Sequence, residues 1–169
     1  ERGAARTAGV PSDHGKAKAL EAAERVAQRF GVKFTDAGRV QTWLKDSSRT
    51  TYLLDVRTRE EFERGHAAGS RHAPGGQLVQ ASDEYVAVRN ARVVLIDPER
   101  VRAVMTASWL EQMGWNDVHV LDDVRGLPME TGARRPPEIA KWSNVFSPDA
   151  FSGAVLDLST SLRFHYAHI

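Results

Sequence analysis

The most constraining feature of this sequence is a run of four apolar residues, Val93 to Ile96, followed at once by a polar stretch. A short run of this kind, mostly β-branched, is typical of a strand that is buried on both faces, which favours a parallel sheet. Residues 97–102 are polar, contain a proline and are predicted to form a loop. Residues 103–113 carry apolar side chains at helical spacing, and Gly114 stands where a C-terminal cap belongs. The sequence therefore predicts a strand, a tight loop and a helix in succession.

The loop of this unit is the first candidate for a functional site. In open α/β sheets, ligands bind beyond the carboxyl ends of strands, where helix N-termini present unpaired N–H groups to anions. Asp97 holds the first position of the loop. Its carboxylate is a poor nucleophile for most chemistry but a good acceptor of N–H bonds, and Arg100 or Arg102 is close enough in sequence to pair with it. We predict a loop that is filled by its own side chains and binds anions weakly.

Composition sets the broad class of the protein. The chain has 169 residues, of which 41% are apolar, so one domain with a real core fits comfortably. Its 23 basic and 22 acidic residues leave a net charge of +1, which argues against a nucleic-acid partner. No apolar run is long enough to cross a bilayer and the N-terminus has no signal-peptide core, so we expect no membrane partner and a cytoplasmic location. Because the first residue is Glu rather than Met, we expect a piece of a longer protein.

The chain contains no cysteine. This excludes disulfides, thiolate–metal sites and cysteine-based catalysis within these residues. His66 and His72 are not accompanied by a paired acid or by metal-ligand spacing, so we predict that both hold turns through backbone hydrogen bonds. We predict no metal and no cofactor.

The rest of the chain alternates strands and helices. Ser12 or Asp13 is predicted to cap a helix over 16–30 that Gly31 ends, and Thr58 with Glu61 has the pattern of a capping box. The other predicted helices run from Thr35 or Asp36 through Leu44, over 58–64 and around 78–88, and the other predicted strands cover 32–34, 52–56, a short stretch within 69–74, and 117–121. This alternation predicts a doubly wound α/β domain from about Lys33 to Leu127.

One stretch has a more specific pattern. Asp55-Val56-Arg57, then Glu61-Phe62, Gly65-His66, Gly69 and His72-x-Pro74 resembles the rhodanese family of sulfurtransferases. The resemblance covers roughly residues 33–127. It implies a three-layer α/β/α domain with a five-stranded parallel sheet and a pocket over the loop 97–102.

The resemblance also assigns roles to the loop, from which this sequence departs. In the rhodanese family the first loop residue is a cysteine that accepts sulfur as a persulfide, cradled by backbone N–H groups, whereas here it is Asp97. Arg102 fits the arginine common at the last position. The small residues usual in between are replaced by Pro98, Glu99, Arg100 and Val101, and Pro98 removes one N–H donor. The resemblance therefore implies a degenerate active-site loop with no catalytic residue, and Arg57, Arg100 and Arg102 are the candidate anion-binding residues.

An internal repeat suggests more than one rhodanese-like unit. Asp55 and His66 are 11 residues apart, and so are Asp157 and His168, with Phe62 and Phe164 at the same offset. Tandem arrays of such units occur in multi-rhodanese sulfurtransferases, which this sequence resembles. We predict a linker and amphipathic helix over 1–31 after a preceding repeat, a rhodanese-like domain over 32–128, a linker over 129–145 and the start of a further repeat over 146–169.

Three functional hypotheses follow from these observations. The first is a non-catalytic domain of a multi-domain thiosulfate sulfurtransferase, a scaffold or recognition module whose partners are other rhodanese-like domains of the same protein. The second is an anion-binding module, and the third is an enzyme of another class that uses Asp97 as nucleophile or base. We further predict a homodimer in which the C-terminal segment, residues 146–169, donates its strand to a second copy.

Overall fold

The computed structural model describes residues 11–133 of the chain. The helices are α1 (Asp13–Phe30), α2 (Ala37–Lys45), α3 (Arg59–Arg64), α4 (Gly75–Gln80), α5 (Ser82–Tyr85) and α6 (Val101–Gln112). The strands are β1 (Lys33–Thr35), β2 (Thr51–Asp55), β3 (His66–Ala67), β4 (Arg71–His72), β5 (Arg92–Ile96), β6 (Val118–Leu121) and β7 (Met129–Glu130). The predicted C-terminal repeat and its dimer contact lie outside the described residues. Within residues 11–133, no helix is both long and apolar enough to cross a membrane.

The main sheet has five parallel strands in the order β1-β6-β5-β2-β4. Strand β5 is central and pairs with β2 on one side and β6 on the other. In the β2–β5 register, Asp55 is opposite Ile96, so the two strands end side by side. The predicted architecture, a three-layer α/β/α domain with a five-stranded parallel sheet, is confirmed.

Alternate residues of β5 face two different layers of helices. Val93 and Leu95 lie in a core that also contains buried residues of α1, α4 and α6. Val94 and Ile96 lie in a second core, on the other face, with Val40 of α2. The continuous apolar run of β5 thus reflects burial on both faces, which is the arrangement expected of a parallel sheet.

Local capping signals place the helix ends. Ser12 caps α1 by accepting a hydrogen bond from the N–H of Gly15, and Gly31 ends the helix in the left-handed conformation with φ 66°. The side chain of Asp36 caps α2 in the same way. Thr58 and Glu61 form the predicted capping box at the start of α3. These side chains satisfy N–H groups that the first helical turn leaves unpaired.

The domain is larger than the predicted range 32–128, at both ends. Ala23 and Ala27 of α1 are buried in the same core as α6, so this helix is part of the domain and not of a separate segment. Strand β7 falls inside the predicted linker but pairs antiparallel with β3. Its two residues are exposed and too few to show a periodic pattern, so the sequence carries no signal for this strand.

Two further expectations are corrected by the structure. Helix α6 begins at Val101 because Arg100 adopts a left-handed conformation and ends the loop, so Val101 and Arg102 form the first helical turn. The single helix predicted around 78–88 is two short helices, interrupted at Ala81 by a non-helical backbone.

We expect Gly75→Ala to destabilise the domain by about 1–3 kcal/mol, the usual cost of forcing extra volume into a packed site. A Cβ at Gly75 would come within 2.3 Å of Oγ1 of Thr106. That hydroxyl already donates to the carbonyl of Arg102. The matched control is Gly76→Ala in the same helix, where an added Cβ meets nothing within 4 Å. Urea unfolding of both variants measures the difference, and equal stabilities would contradict this close contact.

Candidate functional site

The candidate site is the loop at the carboxyl end of β5, in the middle of the sheet. Asp97, its first residue, is 1% exposed. The N–H of Arg100 donates to the carbonyl of Asp97 at 2.8 Å and closes a turn. Arg100 has φ 61°, the only positive φ of a non-glycine residue in residues 11–133. Such backbone strain persists where surrounding contacts fix the conformation, so this loop is held in one shape.

The donors of the loop point at the Asp97 carboxylate. Oδ2 of Asp97 accepts the N–H of Arg102 at 2.9 Å, and Oδ1 accepts the N–H of Glu99 at 3.3 Å. Pro98, which lies between Asp97 and Glu99, has no N–H to offer. The backbone cradle at the N-terminus of α6 is therefore occupied by a side chain of the loop itself.

The guanidinium of Arg102 lies between two carboxylates. Its Nη2 is 3.1 Å from Oδ1 of Asp97, and its Nε is 3.4 Å from Oδ2. On its other side, Nη1 donates to Oε2 of Glu61 at 2.6 Å and Nη2 to Oε1 at 3.1 Å. A bidentate pair of this type is among the stronger hydrogen-bonded contacts in proteins. The sequence predicts that Arg100 or Arg102 pairs with Asp97, and in the structure it is Arg102. The contact of Arg102 with Glu61, 41 residues away, has no local sequence signal.

The pKa values of this group follow from the contacts. The hydrogen bonds from Arg102 lower the pKa of Glu61 from 4.5 to about 2, and the N–H of Thr58 adds to the effect. The pKa of Arg102 is raised, chiefly by its hydrogen bonds to Glu61 and then to Asp97. Glu61 and Arg102 therefore stay charged throughout the physiological range, and neither is suited to acid–base catalysis at neutral pH.

The other two candidate arginines have partners elsewhere. Arg57 donates to Asp55 through Nε at 2.9 Å and Nη2 at 2.6 Å, and to the carbonyl of Gly65 at 2.7 Å. The hydrogen bond to Asp55 raises the pKa of Arg57. Arg100 is 3.4 Å from Asp122. An anion-binding role for Arg57, Arg100 and Arg102 stays a prediction, and an anion would have to compete with these carboxylates.

The two histidines hold turns, as predicted. Nδ1 of His66 is 2.9 Å from the carbonyl oxygen of Phe62, and Nε2 of His72 is 3.0 Å from that of Arg57. The His66 ring also stacks on the Phe62 ring, with 3.7 Å between the centroids. Both residues therefore fix the segment between β2 and β4.

A cavity of about 970 Å³ lies over the loop. One wall is the loop, with Glu61 and Arg64 beside it, and the other is the first half of α1, including Lys16 and Leu20. The contribution of α1 was missed because that helix was assigned to a separate segment. Metal binding by residues 11–133 is a separate matter from this cavity. Within these residues, no group of three or more His, Cys, Asp or Glu side chains is arranged to hold a metal ion.

Comparison with known families agrees with this architecture. The sequence matches the rhodanese-like domain family over residues 36–123, about half of the chain. The protein belongs to the rhodanese-like domain family. No curated protein matches the chain significantly.

Solved structures include a relative of higher similarity. The chain is 48% identical to a thiosulfate sulfurtransferase from Pseudomonas aeruginosa, with a TM-score of 0.73 over 81% of this chain and 26% of that chain. The chain thus spans about a quarter of that relative. A protein from Bacillus halodurans shares the fold, with 17% identity and a TM-score of 0.50 over 73% of this chain and 97% of that one.

We expect Glu61→Gln to lower the free energy of unfolding by about 1–3 kcal/mol at pH 7, the range for hydrogen bonds to charged groups. Because the pKa of Glu61 is lowered in the folded protein, its contribution is complete above pH 4.5 and is lost as the pH falls towards about 2. The difference in unfolding free energy between parent and variant should therefore narrow between about pH 5 and pH 2 in urea unfolding. The control is Glu63→Gln in the same helix, where the ion pair to Arg59 is exposed and 3.9 Å long. A gap that does not change with pH would contradict this assignment.

Proposed function

We propose that this chain is a non-catalytic domain of a longer thiosulfate sulfurtransferase, where it serves as a scaffold or recognition module for other rhodanese-like domains of the same protein. The observation that carries the proposal is the buried Asp97 carboxylate, bound by two loop amides and by Arg102. It stands where the rhodanese family has its cysteine. Transfer of sulfur through a persulfide needs a thiolate, which this chain does not contain.

The state of the cradle supports the same proposal. Backbone donors at a helix N-terminus stabilise negative charge, whether on a substrate or on a reaction intermediate. Here the N–H groups of Glu99 and Arg102 already bind a negative charge that is covalently part of the loop. A substrate anion would have to displace a tethered carboxylate that is paired with a guanidinium.

The wider context supports a role within a larger assembly. The chain spans 26% of the Pseudomonas aeruginosa thiosulfate sulfurtransferase, to which it is 48% identical. An inactive unit in such a protein serves by holding or recognising the units that react. The cytoplasmic location and the homodimer stay predictions.

The two other hypotheses are less well supported. An enzyme that uses Asp97 as nucleophile or base would need a free carboxylate lone pair, yet both oxygens accept hydrogen bonds and face Arg102. An anion-binding module would need unpaired cations, yet Arg57 and Arg102 are held by carboxylates within 3.2 Å. Neither arrangement favours an enzyme based on Asp97 or an anion-binding module over the non-catalytic scaffold.

The proposal predicts no sulfur transfer from thiosulfate to cyanide by this chain, measured as thiocyanate formed above the uncatalysed rate. The reason is the missing thiolate. Thiocyanate formation above the uncatalysed rate would overturn the proposal. If this activity disappears in Asp97→Ala, Asp97 is favoured as a reacting group. Arg59→Ala, which removes an exposed cation and its 3.9 Å ion pair with Glu63, is the control for non-specific loss of activity.

We also expect Asp97→Ala to bind sulfate more tightly than the parent, because it frees the N–H groups of Glu99 and Arg102 and one side of the Arg102 guanidinium. The same change should destabilise the domain by about 1–3 kcal/mol, because the N–H of Arg102 in the first turn of α6 loses its acceptor. Calorimetric titration with sulfate checks the binding. Asp122→Ala, which releases Arg100 but no loop amide, should give a smaller gain. Equal sulfate affinity in Asp97→Ala and the parent would show that the loop is not filled by Asp97.

A further inference from the structure

Helix α6 and Met113, which directly follows it, expose three large apolar side chains on the outward side of the helix. Met105, Trp109 and Met113 are 41%, 54% and 49% exposed. They are four residues apart, so they follow one another along one face of the helix. The opposite side of the helix is buried in the core through Ala103, Val104, Ala107 and Leu110. We call Met105, Trp109 and Met113 the outer face of α6.

A groove runs beside this face, between α4 and α6. Its volume is about 490 Å³, and its walls include Gly76 and Val79 on one side and Val101, Met105 and Trp109 on the other. Arg102 is the charged residue that lines it, and its guanidinium is already bound to Asp97 and Glu61. The groove thus offers no unpaired charge to an acidic or basic ligand. It fits a large apolar side chain, and an adjacent tryptophan and two methionines are residue types enriched at protein interfaces.

The size of the surface decides what kind of partner it suits. The exposed parts of the three side chains amount to roughly 300 Å² of apolar surface, given about 150–250 Å² for a whole large side chain. A stable complex of separate molecules buries about 800 Å² on each partner. The outer face of α6 can therefore form the apolar centre of a contact, but by itself it is small for a dimer of free copies. A partner in the same polypeptide needs less area because covalent linkage raises its effective concentration.

We propose that the outer face of α6 is the surface by which this domain packs against a neighbouring folded unit of the same polypeptide, which inserts an apolar side chain into the groove between α4 and α6. The proposal rests on the proposed function and adds the surface that such a scaffold would use. The chain spans about a quarter of its 48%-identical relative, so a protein built like that relative has further units to supply the contact.

The three methionines of the chain provide the test, because two of them lie on the outer face of α6 and the third, Met129, lies on β7 and is 54% exposed. Treatment with dilute hydrogen peroxide, followed by peptide mass spectrometry, gives an oxidation rate for each methionine. In the 169-residue chain all three should oxidise at similar rates. In the protein expressed from the complete gene, Met105 and Met113 should react roughly tenfold more slowly, since oxidation follows exposure. Met129 should not change and is the internal control.

Two results would overturn the proposal. The first is equal oxidation of Met105 and Met113 in the two preparations. The second is protection of Met105 and Met113 that already occurs in the 169-residue chain. If this protection increases with protein concentration, the occupant of the surface is a second copy. If it is the same at every concentration, the occupant is the chain's own segment 134–169.

A pair of variants tests the same contact through stability. Trp109→Ala should change the melting temperature of the 169-residue chain little, but should lower that of the complete protein by several degrees more. Leu44→Ala is the matched control, because Leu44 is 50% exposed on α2, on the other side of the sheet, and should give the same shift in both. Identical shifts for Trp109→Ala in both would argue against the contact.

The failure of this inference and that of the proposed function can be told apart. Thiocyanate formation by the 169-residue chain would contradict the absence of catalysis and leave the methionine result untouched. The mass of the complete protein shows whether it contains further units. If it does, and Met105 and Met113 are still unprotected, only the assignment of the contact surface is overturned.

Discussion

The burial of β5 on both faces and both edges is the constraint on which the rest of the domain depends. Its backbone is paired with β2 and β6, and its side chains enter two separate cores. A strand in this position has to be apolar throughout, and the chain has to leave it at the carboxyl end of the sheet. The loop that begins at Asp97 is therefore held at the centre of the fold, where α6 starts.

Burial of Asp97 in this position has an electrostatic cost that the surrounding groups must offset. A carboxylate that is 1% exposed is stable in its charged form only when it is paired and hydrogen-bonded. Two amides and the Arg102 guanidinium provide this, and Glu61 in turn balances and orients Arg102. The result is a compact network that joins the loop to the capping box of α3. The same network occupies the N–H groups of Glu99 and Arg102 and the guanidinium of Arg102.

The domain thus combines a filled site with an apolar outer surface. The loop at the end of β5 directs its polar groups inward, and α6, which begins there, directs three large apolar side chains outward. This combination is consistent with the scaffold role that we propose for the domain. Helix α6 therefore joins the loop of Asp97 to the surface that we propose as the contact with a neighbouring unit.

The sequence by itself determined the features whose signals are local. The apolar run of β5, the caps at Ser12 and Asp36 and the capping box of Thr58 and Glu61 involve residues within a few positions of one another, so their patterns predict the elements directly. The pairing of Asp97 with the amide and side chain of Arg102 is local in the same sense, because the two residues flank one loop.

The tertiary structure alone decided the contacts between distant parts of the chain. Glu61 meets Arg102 across 41 residues because α3 and α6 both start at the same edge of the sheet, where the ends of β2 and β5 are in register. The inclusion of α1, the pairing of β7 and the exposure of Trp109 likewise depend on which helix faces which neighbour. Helical periodicity marks an apolar residue but does not say whether a partner covers it, so these features follow from packing and not from sequence pattern.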